Sequence, residues 1–546
     1  MNVFAAAAAA LAILALAIRL AGAQHRLLHL LQIEHYESAR LILWLRRRHE
    51  LVAARELICV GALYAAGAAN VWAGNGWVAG VLLLISTPVA ALGPLDWRRP
   101  AAKPLVFTAR AKRLLALALA PSALVAIAAI VGAALQMGAL AISILLGIAL
   151  LLAALAPYVL TAANFALRPV EAAVNRRFVA SARQTLARVA PLVVGITGSY
   201  GKTSTKFCVG AVLTADRPTL VTPASFNSYL GVVRTINEHL RPEHRAFVAE
   251  MGMFRRGDIE ELCELTHPQI GVITAIGPMH LERLGSIEAI EAAKAELMEA
   301  LPADGRLITN ADDPRCLAIA SRAHVPVTLF GIDSAEAAVR AQNISFAGGR
   351  TELDVLIDSG QSIHVSAQLL GRHNVYNMLA AVAVGQTLGV PSATIARALG
   401  SVSAPEHRLA PIHNRAAGLI VIDDAYNSNP NGAAAALEVL GDHDAARRLL
   451  VTPGMVELGE LEDQLNHRFG EQAAAVCDLV VLVGRRRTRP IYEGLLAGGM
   501  AAENVHVVAD LAEATGLLGR IRRPGDVILF ENDLPDTYAE NGGGHQ

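Results

Sequence analysis

A glycine-rich segment near the centre of the chain has the composition of a phosphate-binding loop. Residues 195–205 have the sequence GITGSYGKTST, directly after an apolar strand-like run and before a helical stretch. Such a strand-to-helix turn exposes backbone N–H groups at a helix N-terminus, where they bind phosphate. Lys202 can reach the β- and γ-phosphate oxygens, and Thr203 can ligate Mg²⁺. The loop departs from the strict pattern at Ile196, yet its setting favours a nucleotide site over a chance glycine turn.

Charged residues that follow the loop could complete such a site. Glu250 ends the strand-like run AFVAE and is placed like a second Mg²⁺ ligand. By itself, a Glu after a strand is more often a solvated loop residue. His280 in GPMHLERLG and Lys294 in EAAKAEL would be surface residues by default. Together with the loop, Glu250 favours a metal-assisted phosphate site.

The alternation of apolar and polar segments along the chain predicts the strands and helices that position these residues. From about residue 191, short β-rich runs alternate with helical stretches, which is typical of a parallel α/β sheet. Residues 338–370 alternate as in a small antiparallel insertion, and a second α/β series begins near residue 405. We therefore expect a P-loop parallel-sheet ATPase domain over 191–403 and a C-terminal Rossmann-like α/β domain over 404–546.

The first third of the chain differs in composition from the rest. Hydrophobic residues make up 53% of the chain and charged residues 17%, with a mean hydropathy of +0.41, which excludes a disordered protein. Residues 1–190 hold 18 Lys and Arg but 6 Asp and Glu. Apolar runs long enough to span a bilayer lie at 3–22, 54–73, 77–95, 114–133 and 138–166.

These runs predict an α-helical membrane region of about five spans over 1–170, followed by a basic juxtamembrane linker over 171–190. The basic connecting segments fall on one side, as the positive-inside rule requires. The expected location is the inner cell membrane, multi-pass, with the catalytic domains in the cytoplasm. No charged residue lies in the middle of a run, which argues against a transporter. The acidic remainder disfavours nucleic acid as a partner.

Eight motifs in fixed order give the chain a family resemblance. They are GITGSYGKTST, AEMG, GPMHLERLGSIEAIEAAKAEL, ITNADDPR, GRHNVYNMLAA, the Arg408 segment, VIDDAYNSNPNG and GMVELGE. Over residues 191–546 the chain resembles the Mur ligase superfamily, and most closely its dipeptide-adding branch. The resemblance implies an ATP-dependent amide ligase of peptidoglycan precursor synthesis. It would join D-alanyl-D-alanine to a muramoyl-tripeptide through an acyl phosphate, with ATP and two Mg²⁺ ions as cofactors.

The resemblance also implies roles for individual residues. The nucleotide-binding positions are Gly198, Ser199, Tyr200, Gly201, Lys202, Thr203, Ser204, Asn310, Asn377, Arg408, Asp424 and Asn427, with Tyr426 nearby. The catalytic positions are Lys202, Glu250, His280, Lys294 and Arg408. The metal-binding positions are Thr203, Glu250, His280 and Lys294, of which Lys294 matches a lysine that is commonly carbamylated in this family. Asn227 and Ser228 match the substrate loop.

Departures from the family pattern leave the substrate open. Ser228 stands where a second Asn is usual, and Ala275 stands where an Asn usually precedes the Gly-x-x-His motif. In the family, the UDP-sugar is bound by a separate domain at the start of the chain, and here the predicted spans occupy the place of that domain. The alternatives are the same chemistry on a lipid-linked cell-wall precursor or another amino-acid polymer, with the bilayer as partner, or a membrane scaffold whose catalysis has lapsed. The intact Lys202, Glu250, His280 and Lys294 argue against the scaffold.

Overall fold

A computed structural model describes most of the chain and divides it into two compact units. The first unit comprises the described residues up to Val174, and the second begins at Asn175. The described residues are 20–34, 36–47, 105–134, 148, 151–152, 154–279, 281–347, 350–358, 360–404, 407–414, 416–425, 428–456 and 458–533.

The first unit is helical in its described part. Residues 20–33 form a helix, and three further helices are α1 (Ser38–Arg47), α2 (Ala109–Ala134) and α3 (Ala156–Val189), the last of which continues into the second unit. Their contact is made by small and branched apolar side chains, among them Leu28, Leu31, Leu41, Leu45, Ala111, Leu114 and Leu160. Two hydrogen bonds also connect parts of this unit that are distant in sequence. The Arg113 guanidinium donates to a Glu171 carboxylate oxygen at 2.8 Å, and the Asn164 side-chain amide donates to the Tyr36 carbonyl oxygen at 2.9 Å.

One helix in the described part of the chain, Ala109–Ala128 within α2, is long and apolar enough to cross a membrane. It overlaps the predicted span 114–133. The predicted spans 54–73 and 77–95, nearly all of 3–22 and the first part of 138–166 lie outside the described residues. Residues 171–189 of the predicted linker belong to α3.

The second unit begins with a nine-stranded sheet. Its strands are β1 (Leu192–Thr197), β2 (Thr219–Val221), β3 (Ala246–Glu250), β4 (Ile270–Ile273), β5 (Arg306–Asn310), β6 (Val327–Gly331), β7 (Val339–Ala347), β8 (Arg350–Ile357) and β9 (Ser362–Ala367). Their spatial order is β2-β3-β1-β4-β5-β6-β7-β8-β9. The pairs from β2 to β7 are parallel and the last two are antiparallel, so the predicted antiparallel segment extends the parallel sheet.

Helices cover both faces of this sheet. They are α4 (Lys202–Thr214), α5 (Tyr229–His239), α6 (Asp258–Thr266), α7 (Leu281–Leu284), α8 (Ile287–Glu299), α9 (Pro314–Ala320), α10 (Arg372–Thr387) and α11 (Ser392–Gly400). Alternate residues of one strand enter opposite cores: Val194 and Ile196 pack with α4 and α10, whereas Val193 packs with α5 and α8. Strands covered on both faces are apolar throughout, as β1 and β3 are.

A second, six-stranded sheet follows in the same unit. Its strands are β10 (Ala410–Asn414), β11 (Leu419–Asp424), β12 (Arg447–Thr452), β13 (Leu479–Val483), β14 (Val505–Val508) and β15 (Asp526–Glu531), in the order β10-β11-β15-β12-β13-β14. All pairs but β10–β11 are parallel. Its helices are α12 (Pro430–Asp442), α13 (Glu462–Ala474), α14 (Arg489–Ala497) and α15 (Leu511–Ile521). The observed fold of the second unit is thus the predicted succession of two parallel α/β domains.

Candidate active site

The loop between β1 and α4 has a conformation that only glycine allows at two positions. Gly198 has φ of 148°, and a Cβ there would lie 2.0 Å from Thr274 Oγ1. Gly201 has φ of 75°, and a Cβ there would lie 2.6 Å from Asn377 Oδ1. Both values lie in the region that side chains disfavour. The glycines therefore let the chain turn tightly and open the N-terminus of α4 to a ligand.

The segment after β4 fixes the other side of this loop. Ser199 donates its backbone N–H to the Ala275 carbonyl at 2.7 Å, and its hydroxyl both donates to and accepts from the backbone of Gly277 at 3.0 Å. The Tyr200 phenol is buried against this segment, and burial raises its pKa. Its hydroxyl has no hydrogen-bond partner among the described residues. The loop is thus preorganised by the neighbouring strand end.

Lys202 folds back over the loop. Its ammonium donates to the carbonyl oxygens of Gly198 at 2.6 Å and Ser199 at 3.2 Å. Removal from water lowers the pKa of Lys202 to about 8, which the nearby Glu250 partly opposes and Arg408 reinforces. An ammonium that is satisfied only by backbone carbonyls is ready to exchange them for phosphate oxygens.

Glu250 lies at the carboxyl end of β3, beside Ile196 of β1 in the sheet register. It is 1% exposed. One carboxylate oxygen accepts from the Thr203 hydroxyl at 3.1 Å and from the Asn227 amide at 2.9 Å. The other oxygen forms an ion pair with Lys206 at 3.1 Å. Thr203 and Glu250 thus bring two oxygens of the kind that Mg²⁺ prefers to the open end of α4.

Lys294 projects from α8 into the same region. It is 2% exposed, and its amine lies 3.4 Å from the Thr197 hydroxyl. Burial lowers the pKa of Lys294 well below its ordinary value, and the nearby Lys202 lowers it further. Burial and the nearby cation therefore favour the neutral amine over the ammonium.

Residues on three further segments were predicted for the same site. Arg408 precedes β10, and its guanidinium donates to the Thr203 hydroxyl at 3.3 Å. Asn377 on α10 accepts from the Thr205 hydroxyl at 2.8 Å. Asn310 ends β5, where its side chain accepts from the backbone of Asp312 at 2.9 Å. A cavity of about 530 Å³ opens beside Thr203 and Arg408, lined also by Phe207, Ala211, Ala224, Ser225, 401–404 and His407.

The carboxyl edge of the second sheet holds two buried acids. Asp424 and Glu531 are register partners at the ends of β11 and β15. Each carboxyl group lies close enough to the other to influence its pKa. Burial raises the pKa of Asp424 to about 6 and that of Glu531 well above its ordinary value. Ser428 donates to Glu531, and the Leu409 N–H donates to Asp424 at 3.1 Å.

Comparison with known proteins identifies the architecture. Residues 196–385 match the Mur ligase middle domain, and residues 407–531 match the Mur ligase glutamate ligase domain. The UDP-N-acetylmuramoyl-tripeptide--D-alanyl-D-alanine ligase of Mycobacterium leprae is 34% identical over 365 residues, which cover 62% of this chain and 70% of that protein. This chain belongs to the Mur ligase family.

Two solved structures extend the similarity of this Mur ligase to three dimensions. MurF from Acinetobacter baumannii has a TM-score of 0.59 and 28% identity, covering 66% of this chain and 77% of its own. MurF from Thermotoga maritima in complex with ADP has a TM-score of 0.58 and 25% identity, covering 66% of this chain and 80% of its own.

The structure brings most of the predicted site residues of this Mur ligase together. Lys202, Thr203, Glu250, Lys294 and Arg408 converge on the loop through the contacts above. His280, Tyr426 and Asn427 lie outside the described residues. Ser228, predicted to contact substrate, is the N-cap of α5, where its hydroxyl accepts from the Gly231 N–H. The roles of these residues stay predictions.

The prediction of a multi-pass inner-membrane protein is wrong. The M. leprae relative is named for a UDP-linked substrate, a water-soluble nucleotide sugar. In the part of the chain that the structure describes, a single helix rather than a series passes the length and hydropathy test. Hydropathy does not distinguish lipid-facing side chains from those that pack helices together, and Ala111, Leu114 and Ala118 of that helix lie in a core between helices.

Two buried residues of the Mur ligase site were missed in the sequence. Lys206 lies one helical turn after Thr203 on α4, so its spacing from the loop could have indicated that it faces Glu250. Glu531 ends the last strand, and its partner Asp424 lies 107 positions earlier. Only the pairing of β11 with β15 brings these two carboxyl groups together.

Proposed function

We propose that this Mur ligase joins D-alanyl-D-alanine to a UDP-linked muramoyl-tripeptide, using ATP through an acyl phosphate and releasing ADP and phosphate. The observation that carries the proposal is the convergence of Lys202, Thr203, Glu250 and Arg408 on the open N-terminus of α4. This arrangement suits a transferring phosphoryl group, whose negative charge needs cations and N–H donors in fixed positions. Relatives from Mycobacterium leprae and Bacillus subtilis carry this activity in their names.

The residues of the loop, Lys202 and Arg408 would have different roles in the transfer of the phosphoryl group. The backbone N–H groups of 200–203 and the Lys202 ammonium hold the phosphates, while Arg408 approaches from the second domain, 404–546, to offset the charge that develops at the γ-phosphoryl. The substrate carboxylate attacks in line to form the acyl phosphate. The D-alanyl-D-alanine amine then attacks the acyl carbon and expels phosphate. Closure of 404–546 on the ATPase domain, 191–403, would exclude water that hydrolyses the acyl phosphate.

The residues present fit Mg²⁺. The Thr203 hydroxyl and a Glu250 oxygen lie 3.1 Å apart at the loop, and hydroxyl and carboxylate oxygens are ligands that Mg²⁺ takes. When bound, the metal neutralises and orients the phosphate oxygens. Lys294 would add a third ligand once carbamylated, and its burial and lowered pKa support that modification. His280 is the fourth proposed ligand.

Purified full-length protein with Mg-ATP and D-alanyl-D-alanine tests the function. UDP-N-acetylmuramoyl-tripeptide is supplied in one reaction and its lipid-linked counterpart in another, and phosphate release and product mass are followed. We expect a product larger by one dipeptide from the UDP-linked substrate. Product from the lipid-linked form alone would contradict the proposed substrate, and absence of phosphate release with both would indicate that catalysis has lapsed.

Two control reactions show whether the product and the released phosphate come from the ligase. Omission of D-alanyl-D-alanine should stop product formation while leaving at most slow phosphate release from the acyl phosphate. The Lys202→Ala variant should release no phosphate above background, which excludes a contaminating ATPase. Phosphate release that survives this substitution would mean that the measured activity is not that of the chain.

A further inference from the structure

Lysine is rare in this chain and concentrated at one place. The sequence contains five lysines among its 47 basic residues, and all the others are arginine. Beyond Arg113 the lysines are Lys202, Lys206 and Lys294. All three lie at the loop between β1 and α4, where Lys206 and Lys294 are 0% and 2% exposed. A buried site takes a compact ammonium where the broad planar guanidinium of arginine does not fit. Lys202 and Lys294 have proposed roles, whereas Lys206 has none.

Lys206 links two parts of the site that are far apart in sequence. On α4, its ammonium forms the 3.1 Å ion pair with Glu250 and donates a hydrogen bond to the Ala224 carbonyl oxygen. Ala224 belongs to the loop 222–228 that follows β2. The same loop returns to Glu250 through the Asn227 amide at 2.9 Å. Lys206, the loop and Glu250 therefore form a closed ring of polar contacts.

The backbone of the loop is held in an unfavourable conformation at the point where Lys206 contacts it. Ala224 has φ of 44°, in the left-handed region that an L side chain rarely adopts. This conformation turns its carbonyl oxygen toward the buried ammonium. A strained residue persists only where the surroundings over-determine it. The Lys206 hydrogen bond is one of the contacts that do so here, together with the hydrogen bond from the Phe226 N–H to the Pro223 carbonyl oxygen at 3.0 Å.

We propose that Lys206 is a positioning residue of the ligase: it orients Glu250 toward Thr203 and holds loop 222–228 against the same carboxylate. The ion pair occupies one Glu250 oxygen and leaves the other, which contacts Thr203 and Asn227, directed at the open end of α4. The ammonium also offsets part of the carboxylate charge, so it sets how strongly that oxygen attracts a divalent cation. The inference rests on the ligase function proposed above.

The Lys206→Met variant tests this role, because methionine keeps an unbranched apolar stem and lacks the charge. Steady-state turnover is measured over a Mg²⁺ titration at saturating ATP. We expect kcat to fall at least about tenfold, since Glu250 loses its orientation. Because a positive charge beside the carboxylate is gone, we expect the half-saturating Mg²⁺ concentration to fall at least threefold. An unchanged Mg²⁺ requirement would overturn the proposal, because a merely structural lysine would lower turnover without altering the metal titration.

Two further measurements keep the test decisive. If Lys206→Met does not fold, Lys206→Gln retains a hydrogen-bond donor for Ala224 without the charge and should show the same change in Mg²⁺ requirement. The Mg²⁺-dependent rise in melting temperature with ADP present is recorded for each variant without any turnover. This readout applies even if the chain does not make the expected product, so failure of the proposed function and failure of the lysine role are distinguishable.

Lys112→Met is the matched control. It removes a lysine from α2, in the first unit and on an exposed side chain. We expect its kcat and Mg²⁺ titration to equal those of the unsubstituted protein. An equal shift in both variants would assign the effect to the loss of any lysine and would refute a specific role for Lys206.

Discussion

Both sheets of the second unit bury ionisable groups at the carboxyl ends of their parallel strands. Basic groups predominate in the first sheet and acidic groups in the second. At the carboxyl ends of β1 and β3, two buried lysines and the enclosed Lys202 ammonium surround one buried glutamate. At the carboxyl ends of β11 and β15, two acids face each other. Burial disfavours charge in both places, lowering the pKa of the lysines and raising that of the acids.

The difference lies in how each edge compensates its buried charges. The first edge pairs its lysine side chains with Glu250 and with backbone carbonyls, and its cationic groups suit an anionic ligand. At the second edge the two acids are buried together, and each accepts a hydrogen bond from a neighbour: Asp424 from the Leu409 N–H and Glu531 from the Ser428 hydroxyl. The first edge therefore suits a phosphate ligand, whereas the acids of the second edge serve the local structure around Leu409 and Ser428.

The largest expected effect is the loss of the Lys202 charge at the first edge. Lys202→Ala should reduce kcat/KM for ATP about 10³-fold, since a preorganised cation next to the transferring phosphoryl is lost. Coupled-enzyme measurement of ADP formation checks this. Activity within tenfold of the unsubstituted enzyme would mean that the cationic edge does not meet the phosphates.

Lys294→Ala tests whether Lys294 acts as a carbamate ligand to the metal, unlike Lys202, which acts as a cation toward the phosphates. We expect turnover to fall about 10²-fold, because a carbamate ligand to Mg²⁺ can no longer form, while ATP affinity measured by calorimetry changes little. Incubation of the unsubstituted enzyme with ¹³C-labelled CO₂ should give one carbamate NMR signal that the variant lacks. Persistent turnover in Lys294→Ala would eliminate the carbamate role.

Glu531→Gln tests the acidic edge through its pH dependence. The pKa of Asp424 is raised to about 6 and that of Glu531 is raised as well, so their contribution to stability is present below about pH 4 and is lost as the pH rises through 6. Replacing Glu531 by an amide removes this burial cost. We expect roughly 1–3 kcal/mol more stability at pH 8 and little gain at pH 5, measured by thermal unfolding at both values.

The control for that experiment is Glu493→Gln, which removes an exposed carboxylate paired with Arg489. Exposed pairs contribute little, so its melting temperature should be nearly unchanged at both pH values. A stabilisation of Glu531→Gln that is equal at pH 5 and pH 8 would show that burial does not raise the pKa values of the two acids.

The smallest expected effect is that of Ser228→Ala, at the end of loop 222–228. Ser228→Ala removes the N-cap of α5 and should cost about 1 kcal/mol of stability, with less than threefold change in the KM for the muramoyl-tripeptide. Ser286, whose hydroxyl caps α8 by accepting from Ala289 at 3.2 Å, provides a matched Ser→Ala control. A rise in KM of more than tenfold for Ser228→Ala alone would restore its predicted substrate contact.

The parallel α/β alternation and the presence of the phosphate loop could be predicted from the sequence because both are local patterns. Apolar runs with intervening helical stretches indicate parallel strands, and Gly198, Gly201 and Lys202 are close in the chain. The antiparallel end of the first sheet was also visible as alternation within residues 338–370. Hydropathy alone gave the wrong membrane topology, because it does not report what an apolar helix packs against.

The sequence by itself thus determined the α/β fold of the second unit and the glycine-rich loop between β1 and α4. Only the tertiary structure decided which distant side chains meet: Glu250 with Lys206 and Asn227, Arg408 with Thr203, and Asp424 with Glu531. The physical reason is that a buried charge is stable only beside a partner that compensates it. Strand pairing and helix packing bring such partners together across tens to hundreds of residues, and no local pattern records which pairs they are.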